Sequence, residues 1–393
     1  MTSKDRMNIA MRLGTPDRVP VMCQLALGHY FLQTPLDEID IWHDTQTFGD
    51  ALITLQERYG FDGILINLPG RDPNWRKYIT RIEERDGNRL ITWENGWYTD
   101  TPPDDNPHVY MEDGTRYFPT FEEVDPEQLF YMEPHDLSAI TYPYSWGFDG
   151  EPAPRGRDFF PPWQMDTIKH VLARVGDRVS VHGEIFSPFS QFMEMLDYTN
   201  GLMALMDDAG KAKACLDALA DGATELALLQ AETGVHAVLI SSAFAGAGLI
   251  SRQHYSDFVL PYEKRIVDGV KARFPELPVY THTCGAIGDR LDLMGATGTN
   301  GIDTLDPPPL GTVELKDAKR QIAGKQFIKG NLDPVNTILM GTPEQVTAAA
   351  RERILTGGPG GGYILSTACS VSPAAPPENI AKLREAVEEF GKY

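Results

Sequence analysis

The chain has 393 residues, with 35 lysines and arginines against 56 aspartates and glutamates, for a formal charge of −21. No basic cluster offsets that excess, which excludes nucleic acid and anionic membrane surfaces as partners. Hydrophobic residues make up 42% and aromatics 10%, enough for a sizeable core, and no apolar run is long enough for a transmembrane helix.

The first residues, MTSKDRMNIAMRLG, carry early charges and no apolar h-region, so no secretory signal is expected and the protein is placed in the cytoplasm. Short β-branched runs then alternate with helical patterns. Candidate strands lie at 18–23, 61–68, 179–185, 235–241, 278–284, 301–306, 326–332 and 362–368. Each is followed, directly or after an insertion, by a plausible helix. The pattern predicts an α/β fold, a closed (β/α)8 TIM barrel forming one domain over 1–393, with a doubly wound open sheet as the alternative.

Between the second and third strands, residues 69–162 are rich in Pro, Asp, Trp and Tyr and too long for a plain loop. They read as an insertion with its own structure, expected over the barrel mouth. Within it, 82–86 and 89–97 flank Asp86-Gly87-Asn88, a hairpin-type turn. Trp93, Trp97 and Tyr98 are either pocket lining or packing there. Long helical patterns follow at 201–233 and 251–274. Thr342-Pro343-Glu344-Gln345 combines an N-cap, a proline at the first helical position and a capping-box glutamine, and Pro376-Pro377-Glu378 opens the last helix in the same way. Two glycine-rich stretches are weak nucleotide signals. LTGGPGGGYIL lacks the lysine of a phosphate loop and leads into a strand, and AFAGAGLIS has only part of the dinucleotide pattern.

Active sites of such barrels gather at the C-terminal strand ends. His282 and Cys284 are two apart at the end of the fifth strand and share a face, with Tyr280 before them; Cys369 ends the eighth strand. One imidazole and two thiolates suit tetrahedral Zn²⁺ with an open fourth position, the catalytic pattern. Taken singly, each is read more readily as a buried small residue or a hydrogen-bonded histidine. Glu184 is the candidate fourth ligand or proton carrier, set against a salt-bridged surface role. Asn67, His182, Ser242, Asp306, Asn331 and Asp333 are further polar groups at strand ends, and Asp333-Pro334 also suits a turn. Cys215 lies on a helix and reads as core; nothing near Cys23 activates its thiol. Four scattered cysteines do not make a disulfide framework.

THTCGAIGDRLDLMGATGTNGIDTLD, KGNLDPVNTILMGTPEQV, the glycine-rich stretch, SVSPAAPPENIAKLREAV and AGLISRQHYSDFVLPYEKRI together resemble the uroporphyrinogen decarboxylase superfamily in order and spacing. The likeness covers most of 1–68 and 165–393 and implies a (β/α)8 barrel. The decarboxylases carry an arginine-rich segment near the N-terminus and an aspartate after the second strand. Here these stretches read PVMCQLALGHY and INLPG, and Cys369 stands where the decarboxylases have a histidine.

His282-Thr283-Cys284 followed far downstream by Cys369 is similar to the zinc-dependent, corrinoid-linked methyltransferase branch. That resemblance implies Zn²⁺ on His282, Cys284 and Cys369, with Glu184 as a candidate fourth ligand. It also implies a partner protein carrying cobalamin that docks over the mouth, and it allows a homodimer. The expected reaction moves methyl from a methoxylated, aromatic donor to cobalt(I), with Asn67, His182, Tyr280, Asn331 and Asp333 around the substrate. The aromatic-rich insertion favours an aryl donor. The alternatives are methylcobalamin:thiol methyl transfer in the opposite direction and, less favoured, a decarboxylase-like enzyme.

Overall fold

The computed structural model describes residues 1–115, 118–133 and 155–393. Strand β1 (Gly63–Ile66) comes first. The insertion follows with β2 (Ile79–Arg85), β3 (Asn88–Trp93), β4 (Tyr98–Thr101) and β5 (His108–Tyr110). Then come β6 (Ser180–Phe186), β7 (Ala237–Ser241), β8 (Val279–Thr283), β9 (Gly301–Thr304), β10 (Phe327–Leu332) and β11 (Tyr363–Thr367). Strands β1 and β6–β11 form one parallel sheet in chain order, the arrangement that helical crossovers of one hand produce.

The eighth stave lies between β11 and β1. Val21 and Leu25 pair in parallel with Leu365 and Val371. Leu365 N donates to Pro20 O at 2.8 Å, Met22 N to Leu365 O at 3.0 Å, and Asp62 N to Val21 O at 2.7 Å. Pro20 has no N–H to give, so a regular ladder cannot run through this stave. The first expected strand is therefore an irregular bridging segment, and it closes the barrel all the same. Asp62, fully buried, ties the seam from below. It accepts hydrogen bonds from Arg6 Nη1 at 2.7 Å, Arg18 Nη1 at 2.8 Å, Ser3 Oγ at 2.8 Å and Val21 N at 2.9 Å.

Side-chain alternation stacks two layers inside the staves. The lower layer is largely apolar: Met22, Leu65, Leu239, Tyr280, Phe327 and Ile364 pack on Met7, Ala10 and Met11 of the N-terminal helix Ser3–Met11, which plugs the floor. Glycine is required at Gly301, because a Cβ there would lie 2.4 Å from the Phe327 ring. Two residues further along each stave the same face carries Gln24, Asn67, Glu184, Ser241, His282, Asp303, Lys329 and Ser366. The interior therefore changes from hydrocarbon to wholly polar over roughly 7 Å, two residues of strand rise.

Around the barrel the helices follow their start signals. Thr342 caps Pro343–Gly357 with the full capping box to Gln345, and Pro377–Phe390 opens on its proline. The long pattern at 201–233 is divided at Asp208, whose side chain caps Ala209–Glu232; the pattern at 251–274 is divided at Val259, with Pro261 opening Leu260–Arg273. No helix among the described residues is long and apolar enough to cross a membrane.

In the insertion, β2–β5 form an antiparallel sheet. Its first hairpin pairs Arg85 with Asn88 around Asp86 (φ 53°) and Gly87 (φ 89°), the positive-φ pair a two-residue turn demands. Trp93 and Trp75 pack against His43 in the segment after the first stave. The stretch 134–154 of the expected insertion lies outside the described residues.

Candidate metal centre

β8 ends in His282-Thr283 and runs directly into Cys284, so His282 and Cys284 leave the strand on one face. Cys369 stands two residues past β11. His282 Nε2 lies 3.2 Å from Cys284 Sγ, and the two sulfurs are 3.7 Å apart. The three ligand atoms all fall within 4.8 Å of one another, the one such histidine, cysteine and acid cluster found among the described residues. Zn–S bonds of about 2.3 Å in a tetrahedron would hold two sulfurs about 3.8 Å apart, so the donor set fits zinc in both chemistry and size.

The surroundings orient these donors. Buried Asp303 places Oδ2 3.3 Å from His282 Nδ1 and takes Lys329 Nζ on Oδ1 at 2.8 Å. An Nδ1–H donated to Asp303 leaves Nε2 turned towards the sulfurs, the usual outer support of a metal-binding histidine. Burial opposes the Asp303 charge, yet Lys329 and His282 hold its pKa down to about 2. Burial likewise opposes a charged His282, but Cys284 and Asp303 outweigh it and push the ring well above its ordinary value. Between the cysteines, hydrogen bonding from Cys284 brings Cys369 down to about 4, while the same contact and burial push the Cys284 thiol up. Zinc would need both sulfurs as thiolates, so its binding would release thiol protons from this pair.

Two carboxylates flank the cluster. Asp306 Oδ2 accepts from Gly285 N at 2.6 Å, and burial followed by the Cys369 charge raises its pKa to about 6. Glu184 is 7% exposed, its Oε2 has no hydrogen-bond partner, and burial raises its pKa to about 7. Glu184 stands outside the three-donor cluster. Asn67 neighbours it one residue past β1, since Ile66 pairs with Gly183.

The remaining expected residues are dispersed. His182 and Tyr280 are fully buried one layer lower, where His182 Nδ1 meets Tyr280 Oη at 2.8 Å and Nε2 meets Ser180 Oγ at 2.9 Å. Burial lowers His182 to about 3. Asn331 Nδ2 donates to Leu305 O at 2.8 Å. Asp333 caps the turn after β10, accepting from Val335 N and Asn336 N, each at 2.8 Å. Ser242 Oγ donates to Ser187 Oγ at 3.1 Å. Cys215 is core, and burial raises the Cys23 thiol. Trp93 is buried with Nε1 on Thr99 Oγ1, and Tyr98 stacks on Tyr110. The AFAGAG stretch packs against the backbone of the cluster: a Cβ on Gly246 would lie 2.3 Å from Cys284 O.

Asp303 and Lys329 were not singled out by the sequence reading. Their signal was available, a charge inside each of two otherwise buried strand runs, GIDT and FIKGNL.

Comparison with known proteins adds three kinds of likeness. The sequence profile described as uroporphyrinogen decarboxylase (URO-D) matches residues 155–390, more than half of the chain. The methylcobamide:CoM methyltransferase MtbA of Methanosarcina acetivorans is 32% identical over 58% of this chain and 63% of its own length. A uroporphyrinogen decarboxylase of Legionella pneumophila (strain Lens) is 31% identical over 49% and 52%, and a methylated-thiol–coenzyme M methyltransferase of Methanosarcina mazei is 33% identical over 58% of both. The chain thus spans between about half and under two thirds of these relatives. Among solved structures, a methyltransferase from Methanosarcina mazei superposes with a TM-score of 0.71 at 18% identity over 99% of both chains, a likeness of fold.

Proposed function

The chain belongs to the uroporphyrinogen decarboxylase family, and from that premise we propose that it is a zinc-dependent methyltransferase. In this reading it moves a methyl group from a methoxylated, aromatic ether to the cobalt(I) of a corrinoid held by a partner protein. The carrying observation is the cluster of His282, Cys284 and Cys369 at the barrel mouth, with Asp303 behind the imidazole. The decarboxylase relatives are similar in sequence, but the polar layer offers no arginine for a polycarboxylate, and its lysine, Lys329, is taken by Asp303.

Zinc bound by the three residues would act as a Lewis acid on the ether oxygen, lowering the cost of the leaving phenolate while the O–CH₃ bond breaks. The chain's own groups do the rest. Asp303 fixes the His282 tautomer, and Lys329 keeps Asp303 ionised. Glu184, beside the cluster and short of a partner, is placed to complete the ligand set or to return a proton to the departing oxygen; Asp306 flanks Cys369 on the other side. Asn67 lies next to Glu184 to hold a polar substituent.

The test mixes purified protein with cob(I)alamin under anaerobic conditions and follows methylcobalamin across a panel of methoxyarenes. Turnover with at least one is expected. No transfer from any donor, together with turnover of methylcobalamin with a thiol, reverses the direction. Metal analysis of Cys284→Ala and Cys369→Ala should show zinc lost, and full occupancy in both would refute the site.

A further inference from the structure

We propose that the floor of the barrel, on the face opposite the metal centre, carries a second binding site, which takes a carboxylate borne on a ring-sized hydrocarbon body. The site stands apart from the methyl-transfer reading and does not depend on it. A cavity of about 450 Å³ opens there between the N-terminal helix Ser3–Met11 and the loop that leads from Leu260–Arg273 into β8. His236 and Pro278, each just before the start of its strand, mark its inner end. That volume suits one small ligand.

One wall is hydrocarbon, made by Phe274, Pro275, Leu277 and Pro278. It is held in place by its own backbone contacts: Lys271 Nζ donates to Leu277 O at 2.6 Å and to Pro275 O at 3.3 Å. Arg12 Nη1 meets Glu276 Oε2 at 2.6 Å, which ties the helix to the loop across the opening. The cavity is therefore shaped before any ligand enters, and an apolar body placed in it loses water on the loop side.

The opposite wall supplies donors. Spacing of four residues puts Lys4, Asn8 and Arg12 on one face of the helix and its C-cap. Of the cations lining the cavity, Arg12 is taken by Glu276 and Arg273 by Glu232 at 2.7 Å. Lys4 Nζ instead makes one hydrogen bond, to Gly176 O at 3.2 Å, and no ion pair among the described residues. Its charge and two of its three N–H groups stay open. Asn8 gives its Oδ1 to Arg12 Nε at 3.0 Å, so its amide N–H groups are left over. His236 Nδ1 accepts from Val181 N at 2.9 Å, which puts the ring proton on Nε2 at the cavity wall. The acidic side chains of the lining are engaged, Glu276 with Arg12 and Asp5 with the backbone of Thr2 in the capping box. An open ammonium with two neutral N–H donors beside it matches a carboxylate, through charge-assisted hydrogen bonds. A ligand cation would meet Lys4 and find no free partner. In a chain of net charge −21, this is a place where an anion is drawn in. Once bound, it would clamp the floor helix to the base of β8, the strand that leads to His282 and Cys284.

Calorimetric titration of the full chain with benzoate, acetate, benzamide and benzylammonium tests this. Acetate lacks the body, benzamide lacks the charge and benzylammonium has the opposite sign, so benzoate should bind about tenfold or more tightly than each of them. Lys4→Met should weaken benzoate binding about fivefold or more. His236→Asn, whose Oδ1 can still accept from Val181 N, should weaken it about threefold or more, with folding of both variants checked by thermal melting. Cys284→Ala, altered at the far end of β8, should bind benzoate within a factor of about two of the parent. Benzoate no tighter than acetate or benzamide, tightest binding of benzylammonium, or no benzoate binding at millimolar concentration overturns the proposal. Benzoate affinity that survives both Lys4→Met and His236→Asn overturns it as well, and loss of binding in Cys284→Ala alone would place the ligand at the mouth and do the same.

Discussion

His282 sits on Asp303, and Asp303 sits on Lys329, so the proposed metal site depends on a residue that would touch no metal. Asp303→Asn should weaken zinc binding about 10- to 100-fold, as loss of such outer partners does, measured by competition with a chromophoric chelator; unchanged affinity would show that the imidazole needs no support. Lys329→Met strands Asp303 as an uncompensated buried charge and should cost about 3–5 kcal/mol in urea unfolding. Buried histidines contribute to acid behaviour, His236 among them. His236 Nδ1 accepts from Val181 N at 2.9 Å, and burial, aided by Lys4, brings its pKa down to about 4. Its folded value lies below the unfolded one near 6.5, so the unfolded chain binds the extra proton between those values and stability falls as pH drops through that window. Urea midpoints between pH 7 and 4 should decline in the parent, and the decline should be shallower in His236→Asn. The three residues of the candidate metal site were legible in the sequence because strand parity joins His282 to Cys284 and the closed barrel brings the end of β11 round to them. Asp303 was passed over although a charge inside the apolar run GIDT signalled it; what its identity does not announce is that its partner is a lysine two dozen residues away.

Among elements, the seam between the first stave and β1 buries two guanidinium groups on one carboxylate. Asp62→Asn leaves Arg6 and Arg18 without their shared carboxylate and should cost about 3 kcal/mol or more, read as a lower urea midpoint with an unchanged slope. At the opposite edge of the floor, Gly301→Val would drive two methyl groups into the Phe327 ring; overpacking of about 1–3 kcal/mol is expected, and a double variant with Phe327→Leu should recover part of it. Seven of the eight expected strands appear as ladders because β-branched runs bounded by turns carry their own signal. The first does not, since Pro20 removes a ladder donor and the segment's pairing is decided by neighbours at both ends of the chain. The breaks at Asp208 and Val259 were likewise hidden: in composition both lie inside continuous helical patterns, and only the capping aspartate and Pro261 mark them.

At the scale of the molecule, the proposed corrinoid partner must approach the mouth past the loops that follow the strands. Leu249, Leu310 and Val335 lie on those loops and are exposed by 45%, 66% and 51%. If they meet the partner, Leu310→Glu and Val335→Glu should slow methyl transfer to protein-bound corrinoid at least tenfold and leave transfer to free cob(I)alamin within a factor of two; equal loss on both acceptors would place these side chains elsewhere in the mechanism. The excess negative charge adds a condition, that an acidic partner would bind more tightly as salt is raised. The pairing of Val21 with Leu365 bears on how the molecule is made. The stave that closes the barrel is made before every other stave, and its neighbour β11 after all of them. At about 5–20 residues per second, the interval is on the order of tens of seconds. Throughout it, Met7, Ala10 and Met11 have no floor to plug and Asp62 has no finished seam, so the nascent chain carries an unsealed edge that only its final strand can cover.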